Sequence, residues 1–347
     1  MRERPRRPTS ADVAARAGVS RTTVSFVING RADVQIRAET RRRVEVAARE
    51  LDYHPHGPAR QLAAGASLTI GLVMRQSAEQ LAADMNLANT LWGLAAAARV
   101  DNYRVLVEPL APLDGTYAGL LRSRRTDGLV VSGPRDDDDE LAALVRDGFP
   151  IVIQGSRSDL DAPSVDVDNR AGARGAVEHL LALGHRRIAC ITNAPLHYTA
   201  AAERLEGFVS ALAAAGIEHA PELVVEGAFD AASGYAAIVR LLAGQPHFTA
   251  VFVASDVVAI GALRGLREAG LRVPLDVSVV GFDDVPIAAH VDPPLSTVQL
   301  PAGALGEAAG RLLLDRIAGR PVPARTLLPT QLIVRDSSAA PRTRGGP

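Results

Sequence analysis

The sequence predicts a mixed α/β protein in which a small all-helical unit precedes a larger region built on parallel sheets. Three observations carry this prediction. Apolar residues recur at helical spacing in the first sixty residues, short apolar strands alternate with Ala/Leu-rich helices from about Leu68, and the charge changes sign between the regions. The 347 residues, 47% hydrophobic and 22% charged, suffice for two or three globular units. We expect a helical domain at 1–56, a linker at 57–66, a large domain at 67–336 and a disordered tail at 337–347.

Three short helices are expected in the first domain. Thr9 and Asp12 have the spacing of a capping box, which predicts a helix from about Ser10 to Ala17. Gly18 suits a tight turn, and Ser20 suits the N-cap of a second helix with Val24, Val27 and Ile28 on its inner face. A third helix, from about Ala38 to Leu51, is long enough to brace the other two.

This helix-turn-helix pattern favours binding to double-stranded DNA. The first sixty residues contain 13 arginines against 7 acidic residues, whereas the whole chain has a net charge of −1. Arg21 and Thr22 begin the second helix, where side chains reach base edges in the major groove. The polar groups of Thr23, Ser25 and Asn29 suit phosphate oxygens. The alternative is a dimerisation or adaptor module of three amphipathic helices.

The residues from Thr9 to Ser25, followed by Val27-Ile28-Asn29-Gly30, resemble the DNA-binding signature of the lactose-repressor/galactose-repressor family. The segment Ala59-Arg60-Gln61-Leu62-Ala63 is similar to the hinge helix of that family, in which a leucine at the position of Leu62 wedges into the minor groove. Phe26 stands where the family commonly has Arg, so the resemblance implies a different half-site. The residues expected to contact DNA are Thr9, Ser20, Arg21, Thr22, Thr23, Ser25, Phe26, Asn29, Ala59 and Leu62.

Eight apolar segments after Leu68 alternate with eight helical ones. This alternation predicts parallel sheets covered on both faces, arranged in two lobes. Ligands of such sheets bind at the carboxyl ends of the strands. The predicted strands are 68–74, 103–107, 128–131, 150–154, 188–192, 223–226, 250–254 and 277–281.

The large region also resembles that family, whose effector domain is similar to periplasmic sugar-binding proteins. The matching stretches include Asp166 to Gly172, Val279 to Asp284 and Pro293 to Val298, and the resemblance covers residues 9–335 in all. It implies a first lobe at about 67–165 and 300–322 and a second lobe at about 166–299 and 323–336. It also implies a homodimer that reads a palindromic operator under the control of a small carbohydrate effector.

The resemblance implies effector contacts for four residues of the second lobe. Arg204 and Asp283 match residues that hydrogen-bond effector hydroxyls, Phe229 matches an aromatic residue that stacks on the effector, and Ser255 stands where Asn is usual. On the first lobe, Arg75, Ser132 and Gln154 lie at predicted strand ends, and Arg75 would favour an acidic or phosphorylated ligand. The alternatives are a surface ion pair for each charged residue and a place in the core for Phe229.

Other functional classes lack their motifs. The sequence has no G-x-S-x-G elbow, Walker A loop, H-E-x-x-H or zinc-type Cys/His spacing, so we expect no enzyme, cofactor or metal site. Neither a signal peptide nor an apolar run of membrane length is present, which predicts a cytoplasmic protein with no membrane partner. The alternatives are a solute-binding protein or a sugar-processing α/β enzyme with an accessory helical domain.

Overall fold

The computed structural model describes residues 8–28, 34–53, 66–110, 116–244 and 247–342. The chain divides into two compact units, Met1–Ser67 and Leu68–Pro347. Within the described ranges, no helix combines the length and the apolar character that crossing a membrane requires.

The first unit contains three helices around a small apolar core. They are α1 (Ser10–Ala17), α2 (Arg21–Ile28) and α3 (Ala38–Glu50). Thr9 and Asp12 form the predicted capping box, which satisfies two free N–H groups at the start of α1. The predicted inner faces are confirmed, since Val13, Val24 and Val44 are buried against one another.

The turn between α1 and α2 follows from Gly18. Its backbone lies in the left-handed region at φ 64° and ψ 43°, which glycine adopts without a steric penalty. The N–H of Val19 then donates to the carbonyl of Ala14 at 3.0 Å, and the N–H of Thr23 donates to Ser20 Oγ at 3.1 Å. Ser20 therefore caps α2 as the sequence predicted.

The second unit has two lobes, each built on a six-stranded sheet. The chain first forms β1 (Thr69–Met74), α4 (Ala78–Ala83), α5 (Leu87–Val100), β2 (Arg104–Pro109), α6 (Tyr117–Arg122), β3 (Gly128–Ser132), α7 (Asp139–Arg146), β4 (Ile151–Gln154) and β5 (Ser164–Val167). It continues with α8 (Asn169–Ala182), β6 (Ile188–Ile191), α9 (Thr199–Ala214), β7 (Val224–Val225), α10 (Ala231–Ala243), β8 (Ala250–Val253), α11 (Asp256–Glu268), β9 (Ser278–Asp283) and β10 (Ser296–Gln299). The last elements are α12 (Ala302–Ile317), β11 (Arg325–Leu328) and β12 (Leu332–Ile333).

The first sheet has the strand order β11-β5-β4-β3-β1-β2, and the second has the order β12-β10-β9-β8-β6-β7. The predicted parallel pairing is confirmed in both sheets, with β12 as an antiparallel exception beside β10. The chain crosses between the lobes after β5, after β10 and after β11.

The expected lobe boundaries are wrong in two places. Residues 164–167 form β5 of the first sheet, so the first crossing comes later than residue 165. Strand β11 also pairs with β5, with Leu327 opposite Asp166, although residues from 323 onward were expected in the second lobe. Because β11 is a short edge strand with exposed Arg325 and Leu327, its sequence carries little of the buried-strand pattern.

The disordered tail predicted from residue 337 is wrong for residues 337–342. Ser337 is fully buried: its Oγ donates to the carbonyl of Val279 at 2.6 Å and accepts the N–H of Ser296 at 2.7 Å. His185 Nε2 lies 2.9 Å from the carbonyl oxygen of Ala339. The Ser/Ala/Pro composition predicted disorder, but the hydroxyl of Ser337 forms hydrogen bonds with backbone groups of β9 and β10 and so holds this segment in place. Residues 343–347 lie outside the described ranges.

Candidate functional site

The described residues of the expected DNA surface lie at the start of α1 and along α2. Arg21 and Thr22 are exposed in the first turn of α2, where base edges would be reached. The hydroxyls of Ser20 and Thr23 lie 2.9 Å apart. Ser25 and Phe26 are half-buried, Thr9 donates its hydroxyl to Asp12 Oδ2 at 2.8 Å, and Asn29, Ala59 and Leu62 lie outside the described ranges.

Arg204 lies in the second turn of α9 and is 5% exposed. Its Nε donates to Asn169 Oδ1 at 2.9 Å, and its Nη1 donates to the carbonyl of Ala254 at 2.7 Å. The guanidinium carbon also lies 3.7 Å from the centre of the Phe282 ring. This guanidinium is therefore held in one place before any ligand arrives.

Asp283, the last residue of β9, faces Arg204. Its Oδ1 lies 3.5 Å from Arg204 Nη1, and the backbone of Asp283 has a φ of 120°, a conformation that residues other than glycine rarely adopt. Burial raises the pKa of Asp283 to about 6, although Arg204 and a hydrogen bond from Ser255 act in the opposite direction. The structure thus brings Arg204, Ser255 and Asp283 together.

A second set of polar residues supports Arg204 from behind. Asn169 accepts from Arg204 while its Nδ2 donates to Asp166 Oδ2 at 2.9 Å and to Glu203 Oε2 at 3.2 Å. Burial raises the pKa of Asp166 to about 6. Asp166 lies in β5 of the first lobe and Arg204 belongs to the second lobe, so Asn169 connects the segment that crosses between the lobes to the Arg204 cluster.

Asp256 fixes the strand that carries Asp283. Its Oδ1 accepts the hydroxyl of Thr297 at 2.6 Å, and its Oδ2 accepts the N–H of Val285 at 3.0 Å. A β-carbon at Gly281 would lie 2.1 Å from Asp256 Oδ1, so only glycine leaves room for this carboxylate. Burial, with the charge of Asp283 as a further cause, raises the pKa of Asp256 well above its usual range.

Phe229 packs among the aromatic and small side chains of Tyr198, Ala194 and Ala201. Its ring packs edge-on against Tyr198, with centroids 4.8 Å apart and an interplanar angle of 86°. Its N–H donates to the carbonyl of Asn193 at 2.8 Å, and its backbone has a φ of 69°. Phe229 remains half-buried, so part of the ring is left accessible.

The lobes touch through the segments that follow β3 and β6. The N–H of Thr199 donates to the carbonyl of Pro134 at 3.2 Å, and the N–H of Asp136 donates to the carbonyl of His197 at 2.9 Å. The hydroxyl of Tyr198 donates to the backbone carbonyl of Arg75 at 2.6 Å. The carboxyl ends of the strands in the two sheets therefore face each other at this contact. Ligands of α/β proteins bind at this end of the strands.

The guanidinium of Arg75 is neutralised by carboxylates of its own lobe. Its Nε donates to Asp138 Oδ2 at 2.7 Å, and its Nη2 donates to Glu140 Oε2 at 3.0 Å. Tyr117 also donates to Asp138 Oδ2, at 2.6 Å. Asp138 caps α7 by accepting the N–H of Leu141, at a helix start where a negative charge is favourable. The geometry does not support the expectation that Arg75 attracts an acidic ligand, because its charge is already compensated.

Ser132 and Gln154 end neighbouring strands and lie opposite each other in the register of β3 and β4. Gln154 Oε1 is buried without a hydrogen-bond partner. Gln76 Oε1 and Asn193 Oδ1 are likewise buried without a hydrogen-bond partner. Gln76, Asn193, Tyr198 and Asp84 were not predicted from the sequence as site residues. Gln76 and Asn193 could have been recognised by their position, since each lies two residues after a strand.

Two family signatures match the chain. Residues 9–56 match the family described as bacterial regulatory proteins, lacI family, and residues 177–338 match the periplasmic binding protein-like domain. The transcriptional regulator CelR of Thermobifida fusca is 40% identical over 343 residues, covering 96% of this chain and 99% of that protein. The transcriptional repressor CytR of Escherichia coli strain K12 is 34% identical over 341 residues, covering 96% of each.

Two solved structures cover 96% of this chain and all of their own length. The lac repressor dimer bound to operator and the anti-inducer ONPF has a TM-score of 0.84 at 33% identity. The CelR–cellobiose complex has a TM-score of 0.73 at 37% identity. The chain belongs to the lacI family of bacterial regulatory proteins and is a DNA-binding transcriptional regulator.

Proposed function

We propose that the chain is a cytoplasmic repressor and not an enzyme, and that a sugar bound between its two lobes controls its affinity for a palindromic operator. The observation that carries the effector site is the buried set of Arg204, Ser255 and Asp283, which offers hydrogen-bond donors and acceptors at the ends of strands. The half-buried ring of Phe229 supplies an apolar face of the kind on which a pyranose packs. Because the related CelR has been solved with cellobiose, this disaccharide is the first effector to test.

DNA binding is assigned to α2 of the first unit, with Arg21 and Thr22 on the bases. The experiment is a gel shift of full-length protein on fragments from upstream of its own coding sequence. We expect a specific shift that weakens steeply with salt, because phosphate contacts release counterions. Arg21→Ala should remove the specific shift, whereas Arg240→Ala, an exposed arginine on α10 of the second unit, should not. Absence of any salt-dependent shift would contradict the proposal.

We infer that the protein acts as a homodimer, and exposed apolar residues of the second unit support this. Trp92 on α5 is 78% exposed, and Met85 and Val100 are also exposed. Such a large apolar side chain in water is typical of a face that another chain covers. Trp92→Arg should convert a dimer to a monomer in sedimentation velocity and weaken operator binding, since both half-sites must be read together.

A further inference from the structure

Within the part of the chain that the structure describes, four buried side-chain oxygens have no hydrogen-bond partner: Gln76 Oε1, Thr126 Oγ1, Gln154 Oε1 and Asn193 Oδ1. Three of them belong to amides at the carboxyl ends of β1, β4 and β6. Thr126, by contrast, precedes β3 and therefore lies at the amino ends of the strands of the first sheet. Buried polar groups are unfavourable until a partner satisfies them, so three orphaned amides at the carboxyl ends of strands, two in the first sheet and one in the second, point to a ligand.

Gln76 and Asn193 lie on either side of the contact between the lobes. Gln76 is 9% exposed and follows Arg75, whose carbonyl accepts from Tyr198. Asn193 is 8% exposed, and its backbone carbonyl holds the N–H of Phe229, whose ring packs on Tyr198. A ligand that reaches Phe229 therefore passes close to both amides.

The charges beside the contact between the lobes, where Arg135 lies over the Tyr198 ring, are unfavourable for an anion. A cavity of about 180 Å³ is lined by two arginines and four carboxylates: Arg75, Arg135, Asp137, Asp138, Asp139 and Glu140. Both arginines are already paired, Arg75 with Asp138 at 2.7 Å and Arg135 with Asp137 at 2.6 Å. Asp84, between α4 and α5 of the first lobe, adds to the charge that raises the pKa of Asp283 in the second lobe. A phosphate placed here would meet four carboxylates and two arginines whose charges are already paired.

Resting on the sugar-responsive function proposed above, we propose that the cleft selects an uncharged polyhydroxylated ligand over its phosphorylated form, and that Gln76 and Asn193 are hydrogen-bonding residues of this selection. A hydroxyl both donates and accepts, so it satisfies an amide whichever of its two terminal atoms faces the ligand. A fully ionised phosphate accepts but does not donate, so it pairs with an amide NH2 group but leaves an amide oxygen that faces it unsatisfied.

The test measures binding of matched sugars to the full-length protein by titration calorimetry. The probes are cellobiose, maltose and trehalose, each beside its 6-phosphate. We expect at least one neutral disaccharide to bind and its 6-phosphate to bind at least tenfold more weakly. Equal or tighter binding of the phosphorylated form, or no binding of any neutral disaccharide by protein that still shifts its operator, would overturn the inference. Loss of the operator shift itself would instead count against the proposed function.

Substitutions separate the amides from other buried polar groups. Gln76→Ala and Asn193→Ala should each weaken the neutral sugar roughly 3- to 10-fold, because one or more neutral hydrogen bonds are lost. Thr126→Val is the matched control, since it removes an equally unpartnered group away from the cleft and should leave the Kd unchanged. Wild-type affinity in both amide variants, or an equal loss in Thr126→Val, would refute their role.

A charge variant tests the rejection of anions directly. Asp84 Oδ1 accepts the N–H groups of Asn86 and Leu87 at 2.9 and 3.2 Å, and asparagine keeps an oxygen for both bonds. Asp84→Asn should therefore fold normally and improve the affinity for the 6-phosphate relative to the neutral sugar. An unchanged ratio of the two affinities would show that Asp84 does not contribute to the selection.

Discussion

The hydroxyl of Tyr198 in the second lobe donates to the backbone carbonyl of Arg75 in the first lobe at 2.6 Å. The same ring packs edge-on against Phe229, at a centroid distance of 4.8 Å. A single side chain therefore links the contact between the lobes to the aromatic side of the cleft. We propose that a ligand packed on Phe229 acts on the neighbour of this hydrogen bond and so couples occupancy of the cleft to the arrangement of the lobes.

Tyr198→Phe tests this coupling. The substitution keeps the ring against Phe229 but removes the hydrogen bond to Arg75, and it should lower the free energy of unfolding by about 0.5–1.5 kcal/mol. It should also reduce the change in operator affinity that the effector causes, measured by fluorescence anisotropy. Tyr235→Phe is the control, because the Tyr235 hydroxyl binds Glu268 on the surface of the second lobe. An equal loss of the effector response in both variants would show that the Tyr198 hydrogen bond has no specific role in the coupling.

Asp283→Asn should abolish the response to the effector with little change in operator binding. Asparagine retains the shape of the side chain but loses the charged acceptor, which should cost about 1.5–3 kcal/mol of effector binding. Calorimetry of the sugar and anisotropy of the operator measure the two effects. A wild-type Kd for the effector in this variant would remove Asp283 from the site.

Arg204→Ala is expected to behave differently from Asp283→Asn. Arg204 holds Asn169 and the carbonyl of Ala254 by hydrogen bonds and stacks on Phe282, so truncation leaves buried groups unpaired within the second lobe. We expect a loss of about 3–5 kcal/mol in folding stability together with the loss of effector binding. Urea denaturation tests this, and unchanged stability would show that Arg204 serves the ligand alone.

Effector affinity should rise with pH between about 5 and 7. Burial raises the pKa of Asp283 to about 6, so the carboxyl is largely protonated at pH 5, and ligand hydroxyls favour its ionised form. Binding therefore releases a proton, and the affinity should fall by up to roughly tenfold for each pH unit below 6. Asp283→Asn should remove this dependence. Asp166→Asn should keep it, although burial also raises the pKa of Asp166 to about 6, since that carboxylate accepts hydrogen bonds from Val167 and Asn169 of the protein itself.

The raised pKa of Asp283 makes folding stability fall as the pH rises, whereas the effector affinity rises with pH. Because the folded state holds its proton up to about pH 6 and the unfolded state loses it near 3.8, Asp283 contributes stability at low pH that is lost as pH rises through that window. The free energy of unfolding should therefore fall less between pH 5 and pH 7 in Asp283→Asn than in the wild-type protein, as measured by denaturation at both pH values.

Gly93→Ala should destabilise the first lobe. A β-carbon at Gly93 would lie 1.9 Å from the carbonyl oxygen of Gly303, so α5 and α12 would have to move apart at a cost of about 1–3 kcal/mol. Gly175→Ala is the matched control, because a β-carbon there meets nothing within 4 Å on α8. That change should raise stability by about 0.5–1 kcal/mol through helix propensity. Thermal unfolding of both variants checks the prediction.

Periodicity and capping predicted the three helices of the first unit, because Thr9, Gly18 and Ser20 act through neighbours in sequence. The buried strands β5 and β10 were missed, but eight strands of the second unit were visible as apolar runs. Strand β11 and the ordered segment around Ser337 were not, since each depends on pairing with a distant strand. The composition of a short segment does not show which distant strand it pairs with.

The candidate site was predicted only where family resemblance assigned residues. Arg204, Ser255 and Asp283 do lie together, but the neutralisation of Arg75 by Asp138 and Glu140 depends on how β1 and α7 pack. Gln76 and Asn193 were missed because a lone amide after a strand resembles any loop residue. Their orphaned oxygens become visible only when burial is known.

The most direct test of effector control is fluorescence anisotropy of the full-length protein on its labelled operator, with and without a saturating sugar identified by calorimetry. A change of at least tenfold in operator Kd is expected for the wild-type protein and none for Asp283→Asn, since a bound ligand acts only through its differential affinity for the two states. An unchanged Kd in the wild-type protein, under conditions where the sugar is bound, would contradict effector control through this cleft.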